Sequence, residues 1–546
     1  MIIPRVQQEQ NFQGKLIVPN TIRLFTADSM GEKAARLLEL FLPTVSFIQT
    51  DSRSCAHLVL ECRFGLSQKN EYYSVKAIEL PIIVNYHDFL GARNAIATIA
   101  QLLKKADEGY NLPCCEIEDW PDSKIRSMLI DPARNIIAVS KVKDILVRMA
   151  MAKYNYIHLH LSDSKGYVIE SDVLPQLTGP KGKQYTKNEI REIVEYASNL
   201  GIECIPEIDL PAHGNQFIND IPELACVTDL DSEVPSPWVL CAGNEYTYQV
   251  IEKLYTELAE LFPGKIVHIG GDEIAMYDLT TRRSWPTWNC CSRCLEMSKR
   301  EGIDQNNDTE MFYYFVRRVY NILLKLGKRV IMWNDNIDIS QSPDLPRDIL
   351  IHFWRIAATD RGPVEGCSME RFLEEGFEVL NSWYPETYIE RDFYDNNDET
   401  IKVWSPISVP LHDSKYNAQI KGGEPCAWGE YKGLEHYDWT LPTSIMLFGD
   451  RLWNYKPNDD AEEFGIAGTR YQLGIHTPEK FNLFEIFGGF MQPRSIDGTR
   501  MWTEKAAKDL SKTYEILVKL EDSYLMTGKL AGEYRKSIEW LNEKRI

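Results

Sequence analysis

Two adjacent carboxylates follow a pair of glycines in the segment HIGGDE at 268–273. Successive residues of an extended chain point to opposite sides, so Asp272 and Glu273 should not reach one atom from the same side. Gly270 and Gly271 leave room for a ligand close to the backbone, and burial beside Trp raises the pKa of a carboxyl group toward that of a general acid. The pair therefore predicts two different catalytic tasks, against the alternative of two solvated acids.

Two histidines stand two positions apart at His158 and His160, on one face of a predicted strand. This is the spacing of a metal pair in barrel hydrolases, but such a metal needs further ligands on later strands. The later histidines His213, His268 and His352 stand singly, so no second close pair follows. We therefore expect packed, hydrogen-bonded histidines, and a metal-dependent hydrolase is the rival interpretation.

The chain has 12 Cys in 546 residues, which is not the pattern of a short, disulfide-rich secreted domain. Cys291 and Cys294 form a CxxC, which binds zinc beside a second pair or carries redox chemistry beside a thioredoxin-like unit. Neither context is visible in the sequence. We expect plain structural cysteines and mostly free thiols.

Short apolar runs, each ending in a polar or aromatic residue, recur through the middle of the chain. The eight runs span 124–131, 156–163, 202–209, 265–273, 329–335, 349–355, 378–384 and 424–430. Amphipathic helices are predicted at 140–153, 186–200, 247–262 and 309–326, the second with a capping box. This alternation predicts a (β/α)8 TIM barrel whose chemistry lies at the C-terminal strand ends. The connection 336–348 is too short for a full helix, so a degenerate crossover is expected there.

The segments outside the barrel predict two further parts. Strands at 22–25, 58–62 and 78–84 with helices at 31–41 and 86–104 indicate a small α/β accessory domain over 1–118. Residues 111–122, rich in Pro, Cys and acids, are predicted to be a linker. The barrel is placed at 119–500, and the Lys- and Glu-rich periodicity after it predicts a C-terminal helical segment over 501–546.

Composition excludes several classes of protein. With 60 basic and 80 acidic residues the formal charge is −20, which disfavours nucleic acid and anionic membrane surfaces. The 13 Trp and 27 Tyr suit the apolar faces of sugar rings, although filling a large core is the alternative. No long apolar span and no export signal is present. We expect a cytoplasmic protein, or a periplasmic or secreted one where a signal has been removed.

Several segments together resemble glycoside hydrolase family 20, the β-N-acetylhexosaminidases. HIGGDE is similar to the family's signature. The other similar segments occur in the family's order: IRSMLIDPAR at 125–134, HLHLSD at 158–163, IPEIDLPAH at 205–213, MWND at 332–335, YIE at 388–390, AWGE at 427–430 and DRLW at 450–453. The start IIPRV and the small α/β domain resemble the family's accessory domain. The resemblance therefore covers nearly the whole chain.

The resemblance implies a role for each matching residue. Glu273 would be the general acid/base, Asp272 would hold and polarise the substrate's 2-acetamido group, and Tyr388 would bond its carbonyl. The remaining implied roles are Arg126 and Glu430 on the sugar 3- and 4-hydroxyls, Glu390 on the 4- or 6-hydroxyl, Trp333, Trp354 and Trp428 as pocket walls, and Asp163 and His213 as a hydrogen-bonded chain to Glu273.

We therefore predict a retaining exo-β-N-acetylhexosaminidase that removes terminal β-linked GlcNAc or GalNAc from glycans. In this family the substrate's acetamido oxygen attacks C1 and forms an oxazolinium intermediate, so no protein nucleophile is required. We expect a glycan or glycoconjugate as the partner, and no metal or organic cofactor. Binding to nucleic acid or membranes is not expected, and a homodimer is possible. One alternative is a metal-dependent hydrolase using His158 and His160. The other is a non-catalytic carbohydrate-binding barrel, and the presence of both Asp272 and Glu273 argues against it.

Overall fold

The fold is taken from a computed structural model and consists of two compact units, residues 1–120 and residues 121–457. The residues that the structure describes are 2–65, 67–227, 238–274, 277–278, 283–284, 288–305, 307–339, 344–355, 358–359, 362–363, 368–389, 404–408, 414–429 and 441–456. The predicted C-terminal helical segment, 501–546, lies outside them. No helix among the described residues combines the length and apolar composition needed to cross a membrane.

The N-terminal unit is a mixed eight-stranded sheet with two helices. Its elements are β1 (Gln8–Val18), β2 (Thr21–Thr26), α1 (Ser29–Phe41), β3 (Ser46–Gln49), β4 (Leu58–Cys62), β5 (Tyr73–Ala77), β6 (Ile82–Tyr86), α2 (Phe89–Leu102), β7 (Lys104–Lys105) and β8 (Tyr110–Asp119). The strand order is β1-β8-β5-β6-β4-β2-β3, and β7 pairs with β8. Asp28 and Asp88 cap the two helices by accepting N–H bonds at 2.9 and 2.8 Å. The predicted α/β domain is therefore present.

The predicted linker is wrong, because residues 110–119 form the strand β8. It lies between β1 and β5 and pairs with both in antiparallel fashion. Pro113, which argued against a strand, lies opposite Lys15 where the register with β1 shifts, and a proline is tolerated at such an irregularity. Its partner β1 escaped prediction because most of its residues are exposed and lack alternating polarity.

The second unit contains a ten-stranded parallel sheet. Its strands are β9 (Ile125–Arg126), β10 (Leu129–Ile130), β11 (Tyr156–His160), β14 (Glu203–Glu207), β15 (Ile266–His268), β18 (Arg329–Trp333), β19 (Leu350–Phe353), β22 (Glu378–Asn381), β23 (Ile420–Gly423) and β24 (Cys426–Ala427). The first barrel strand is split into β9 and β10, and the eighth into β23 and β24. Because β9 pairs with β23 and β10 with β24, the sheet closes on itself. The predicted (β/α)8 barrel is confirmed.

Helices occupy most connections between the barrel strands. They are α3 (Val139–Met151), α4 (Lys187–Asn199), α5 (Asn215–Asp220), α6 (Glu245–Leu261), α7 (Ser292–Glu301), α8 (Asp308–Lys325), α9 (Met369–Glu374), α10 (Tyr384–Thr387) and α11 (Leu441–Trp453). Short hairpins form from β12 (Ser162–Asp163) with β13 (Gly166–Tyr167), β16 (Tyr277–Asp278) with β17 (Arg283–Ser284), and β20 (Ala358–Thr359) with β21 (Gly362–Pro363). The capping box of α4 is present, with the Thr186 N–H donating to Glu189 at 2.8 Å.

Aliphatic side chains form one layer of the barrel interior. Six strands contribute one buried residue each: Ile125, Ile205, Ile266, Ile331, Leu350 and Leu380. Burying each such side chain contributes about 1.5–3 kcal/mol. This layer stabilises the barrel and leaves the C-terminal strand ends to polar groups.

Candidate active site

Five acidic or basic side chains converge at the C-terminal ends of four barrel strands. Asp163 follows β11, His213 follows β14, Asp272 and Glu273 follow β15, and Asp335 follows β18. Parallel strands place these ends at one edge of the barrel, where TIM-barrel active sites lie. The structure therefore brings the predicted acid pair together with Asp163 and His213, the predicted hydrogen-bonded chain.

The turn that carries the two acids is irregular. Strand β15 ends at His268, and Gly270 and Glu273 both have positive φ angles, of 71° and 49°. A Cβ atom at Gly270 would collide with the carboxylate of Asp209, so this turn requires glycine on two grounds. Glu273 holds a conformation that is costly for a residue with a side chain, as is common at functional sites.

The expectation that the two acids cannot reach one atom is wrong, because this turn is not extended. The Nε2 atom of His213 lies 3.6 Å from Asp272 Oδ2 and 3.6 Å from Glu273 Oε2. Its Nδ1 atom lies 3.0 Å from Asp163 Oδ2. The predicted chain from Asp163 through His213 to Glu273 is thus brought together, and the same imidazole also faces Asp272.

Charges around His213 determine which groups are ionised. Burial alone would lower the pKa of His213, but Asp209, Asp163 and Asp272 outweigh burial and hold that pKa well above its usual value. Burial would raise the pKa of Asp272, yet the His213 imidazolium keeps it below the usual value. Burial and the neighbouring Asp272 together raise the pKa of Asp209 well above normal. A cationic His213 therefore stabilises an ionised Asp272.

Asp335 holds the backbone of Glu273. Its Oδ2 atom accepts the Glu273 backbone N–H at 3.0 Å, and its Oδ1 atom accepts the indole N–H of Trp354 at 3.1 Å. The Glu273 carbonyl in turn accepts the indole N–H of Trp238 at 2.8 Å. Both peptide groups of Glu273 are fixed, while its side chain remains 33% exposed. The acid is therefore held in place and accessible.

Asp335 should make stability depend on pH. Burial raises its pKa from 3.8 to about 6, despite the opposing charge of Arg355. Since the pKa of Asp335 is higher in the folded than in the unfolded chain, protonated Asp335 favours the folded state. This stabilisation of the fold is complete below pH 3.8 and is lost as the pH rises through 6. Relative to Asp335→Asn, the parent should lose up to about 3 kcal/mol of unfolding free energy over that range. Urea unfolding at several pH values measures the difference; parallel curves would show that Asp335 ionises as it does in the unfolded chain.

Aromatic rings form one cluster at the same end of the barrel. The rings of Trp354 and Tyr388 stack at 5.8 Å between centroids, with an angle of 11° between planes, and Trp428 lies 5.9 Å from Tyr388. Trp333 belongs to the cluster but is 1% exposed and donates its indole N–H to Glu207 at 2.8 Å. The structure thus brings together the predicted Trp and Tyr residues, with Trp333 supporting the others from inside.

The structure does not place Arg126 at this end. Its backbone N–H bonds to Asn155, which precedes β11, and its guanidinium donates to the carbonyls of Lys153 and Ser123 at 2.8 Å each. These partners belong to the N-terminal ends of the strands, where side chains serve stability. The prediction that Arg126 binds the sugar is therefore contradicted by its position.

Arg134 is the arginine that reaches the site. It is 8% exposed, and its two terminal nitrogens lie 2.9 Å from Asp131 Oδ2 and 2.9 Å from Asp163 Oδ2. Its guanidinium also lies 5.0 Å from the centre of the Trp428 ring. Arg134 lies four residues after the C-terminal end of the first barrel strand, whereas Arg126 lies at the start of that strand.

Comparison with known families identifies this arrangement. Residues 124–455 match the family described as glycosyl hydrolase family 20, catalytic domain. The chain belongs to glycosyl hydrolase family 20. Residues 1–120 match domain 2 of the same family. Both units of this family 20 enzyme therefore have counterparts in its relatives.

Similar proteins agree with that assignment. A β-hexosaminidase subunit A2 of Dictyostelium discoideum is 28% identical, over 75% of this chain and 71% of its own. A β-hexosaminidase of Porphyromonas gingivalis is 25% identical, over 84% of this chain and 63% of its own. Among solved structures, the Flavobacterium johnsoniae chitobiase has a TM-score of 0.74 at 25% identity, over 90% of this chain and 74% of its own. The Vibrio harveyi exo-β-N-acetylglucosaminidase shares the fold, with a TM-score of 0.75, 23% identity, and coverage of 87% and 77%. The predicted family, enzyme class and β-N-acetylhexosaminidase activity are confirmed.

The two histidines of the rival interpretation lie inside the barrel of this family 20 enzyme. His158 Nδ1 bonds to Glu424 at 2.7 Å and its Nε2 lies 3.2 Å from Glu207, while His160 bonds to Glu207 and contacts Asp163 at 3.3 Å. Burial would lower the pKa of His158, but the two glutamates raise it to about 9. The two histidines thus form the packed, hydrogen-bonded group expected from the sequence. Through His160 they connect the barrel interior to Asp163 of the active site.

Two predicted sugar ligands, Glu390 and Glu430, lie outside the described residues. Their neighbours Tyr388 and Trp428 are described, and both belong to the aromatic cluster. The roles of Glu390 and Glu430 stay predictions.

Proposed function

We propose that this family 20 enzyme hydrolyses terminal β-linked N-acetylhexosamine residues of glycans with the acid pair Asp272 and Glu273 in separate roles. The observation that carries the assignment of roles is the difference between their surroundings. Asp272 is ionised beside the His213 imidazolium, whereas Glu273 presents an accessible carboxyl group on a backbone fixed by Asp335. One group is suited to stabilise positive charge and the other to transfer a proton.

In the first step the acetamido oxygen attacks C1 from within the substrate and the bond to the leaving oxygen breaks. Glu273 donates a proton to that oxygen. Asp272 accepts the acetamido N–H and stabilises the charge of the oxazolinium ring. Tyr388, in the aromatic cluster, orients the acetamido carbonyl. Glu273 then takes a proton from water, which opens the ring at C1 with retention of the β configuration.

A panel of aryl β-glycosides tests this function. We expect turnover of the GlcNAc or GalNAc glycoside, with β product detected first by proton NMR, and almost no turnover of the matching glucoside. The glucoside fits the same pocket but lacks the acetamido nucleophile. Release of α product, or comparable rates for the glucoside, would contradict the proposal.

We infer that Arg134, rather than Arg126, binds sugar hydroxyls. Its guanidinium lies beside Trp428 and is held by two carboxylates, so it is pre-oriented for a ligand resting on the ring. Hydroxyl oxygens accept from the N–H groups of arginine. A planar fork of donors therefore lies at the edge of the aromatic cluster.

Matched substitutions at the two arginines separate these roles. Arg134→Lys should lower kcat/KM for aryl β-GlcNAc by about 10–100-fold, since a charge-assisted hydrogen bond contributes about 1.5–3 kcal/mol. Arg126→Lys should instead lower the Tm and leave kcat/KM close to the parent value, because its bonds to the Lys153 and Ser123 carbonyls lie at the opposite end of the barrel. Steady-state kinetics and thermal unfolding of both variants measure these effects. A loss of kcat/KM in Arg126→Lys alone would show that Arg126, and not Arg134, binds the sugar.

A further inference from the structure

Four cysteines from two connections of the barrel meet in one buried cluster. Cys226 and Cys241 lie between β14 and β15, and Cys291 and Cys294 lie between β15 and β18. Their four Sγ atoms all lie within 4.8 Å of one another, and each residue is buried. The CxxC therefore has a second pair of cysteines beside it in space, the context for zinc that the sequence did not show.

We propose that these four cysteines bind one structural zinc ion. Zinc in structural sites is bound tetrahedrally by four ligands, and four cysteines are one of the common sets. Sulfurs about 2.3 Å from a tetrahedral ion lie about 3.8 Å apart. The distances from Cys241 Sγ to Cys291 Sγ and Cys294 Sγ are 3.7 and 3.6 Å. A disulfide would need about 2.05 Å. The spacing therefore fits joint coordination of an ion.

Backbone groups around the cluster favour thiolates, the form that binds metal. The N–H of Val227 donates to Cys291 Sγ at 3.3 Å, and the N–H of Gly243 donates to Cys294 Sγ at 3.3 Å. Cys291 is also the N-cap residue of α7, and Cys294 lies in its first turn. The positive end of the helix dipole stabilises negative charge at both positions. Peptide dipoles thus compensate part of the charge that four thiolates would bring into a buried site.

The cluster joins two connections that reach the active site. The Ser292 N–H bonds to the Val227 carbonyl at 3.1 Å, and the Trp288 indole N–H bonds to the Leu240 carbonyl at 2.8 Å. Three residues before Cys241, Trp238 donates to the Glu273 carbonyl and its ring lies 4.3 Å from that of His213. The ion would therefore anchor the segment that positions Glu273, without touching substrate.

Metal analysis of the whole protein tests the proposal. After purification under reducing conditions with zinc present, we expect about one zinc per chain by elemental analysis. Cys291→Ser/Cys294→Ser should lose the zinc and lower the Tm. Cys290→Ser is the matched control, since Cys290 is adjacent to the cluster but outside it, and it should retain both.

Cobalt substitution keeps the test decisive if the double variant fails to fold. Cobalt bound to the unmutated chain should show thiolate charge-transfer bands in the near ultraviolet and the visible bands of tetrahedral coordination, and a mercurial should release zinc. Two disulfides found by mass spectrometry after purification under these conditions, four freely alkylated thiols without zinc, iron in place of zinc, or zinc retained by the double variant would overturn the proposal. None of these readouts depends on glycosidase activity.

Discussion

Glu273→Gln should slow hydrolysis of a β-N-acetylglucosaminide with a basic leaving group by about 10²–10⁴-fold. Glutamine keeps the size of the side chain and the backbone bonds to Asp335 and Trp238, but it cannot donate a proton to the departing oxygen. An aryl glycoside whose phenol is strongly acidic needs little protonation and should lose much less. A series of aryl glycosides with graded leaving groups measures this as a steeper dependence of kcat/KM on leaving-group pKa.

An amide substitution on the surface provides the control for Glu273. Glu192→Gln lies on the exposed face of α4, where the carboxylate pairs with Lys143, and it should leave every rate in the series unchanged. A small and uniform loss for Glu273→Gln across all leaving groups would remove Glu273 from the role of acid.

Asp272→Asn should lower turnover of N-acetyl substrates by about 10²–10³-fold, whatever the leaving group. The neutral amide no longer stabilises the positive charge that develops on the acetamido group, so the loss should occur even where Glu273 is dispensable. A stable thiazoline analogue of the bicyclic intermediate should also bind more weakly to the variant, because it presents the charge distribution of the intermediate. Calorimetry with the analogue and kinetics with both classes of substrate measure the two effects.

The contrast between the two variants identifies the nucleophile. If the acetamido group is the nucleophile, Asp272→Asn affects good and poor leaving groups alike, whereas Glu273→Gln separates them. A sugar ester trapped on a protein carboxylate would rule out substrate assistance. Unchanged affinity of Asp272→Asn for the thiazoline would show that the carboxylate does not stabilise the acetamido group.

Strand periodicity predicted the barrel because its strands are buried on both faces. Each of the eight apolar runs contains an observed strand, although the run 265–273 continues five residues past the end of β15. Positive φ angles at Gly270 and Glu273 end the regular strand and turn both carboxylates toward His213. Hydrophobicity does not encode such a turn, so the pairing of the acids was missed even though both were found.

Choosing the correct arginine required the direction of the strand. Arg126 and Arg134 both lie in the segment IRSMLIDPAR at 125–134. Arg126 is at the start of the first barrel strand, and Arg134 comes after its end. The rule that barrel chemistry lies at C-terminal strand ends favours Arg134 over Arg126. Asp335, at the end of the fifth barrel strand, could have been found by the same rule.

The cysteine cluster could not be found from spacing. Cys226 and Cys241 are 15 residues apart in the sequence, and no short motif joins them to the CxxC. Only the neighbouring positions of two barrel connections bring them together. Sites assembled from separate connections are predictable once the order of the strands is known.

Closure of the barrel also affects how the chain must fold. Arg126 lies beside Gly423 and Ile130 beside Ala427, so the first and last strands meet only after all the intervening chain has been made. Contacts this distant in sequence carry a large entropic cost and form late. Until then, the first strand presents an unpaired edge of the kind that promotes aggregation of nascent proteins. The segment from Ile420 to Ala427 therefore protects against edge-to-edge association, because it pairs with the exposed edge of the first strand.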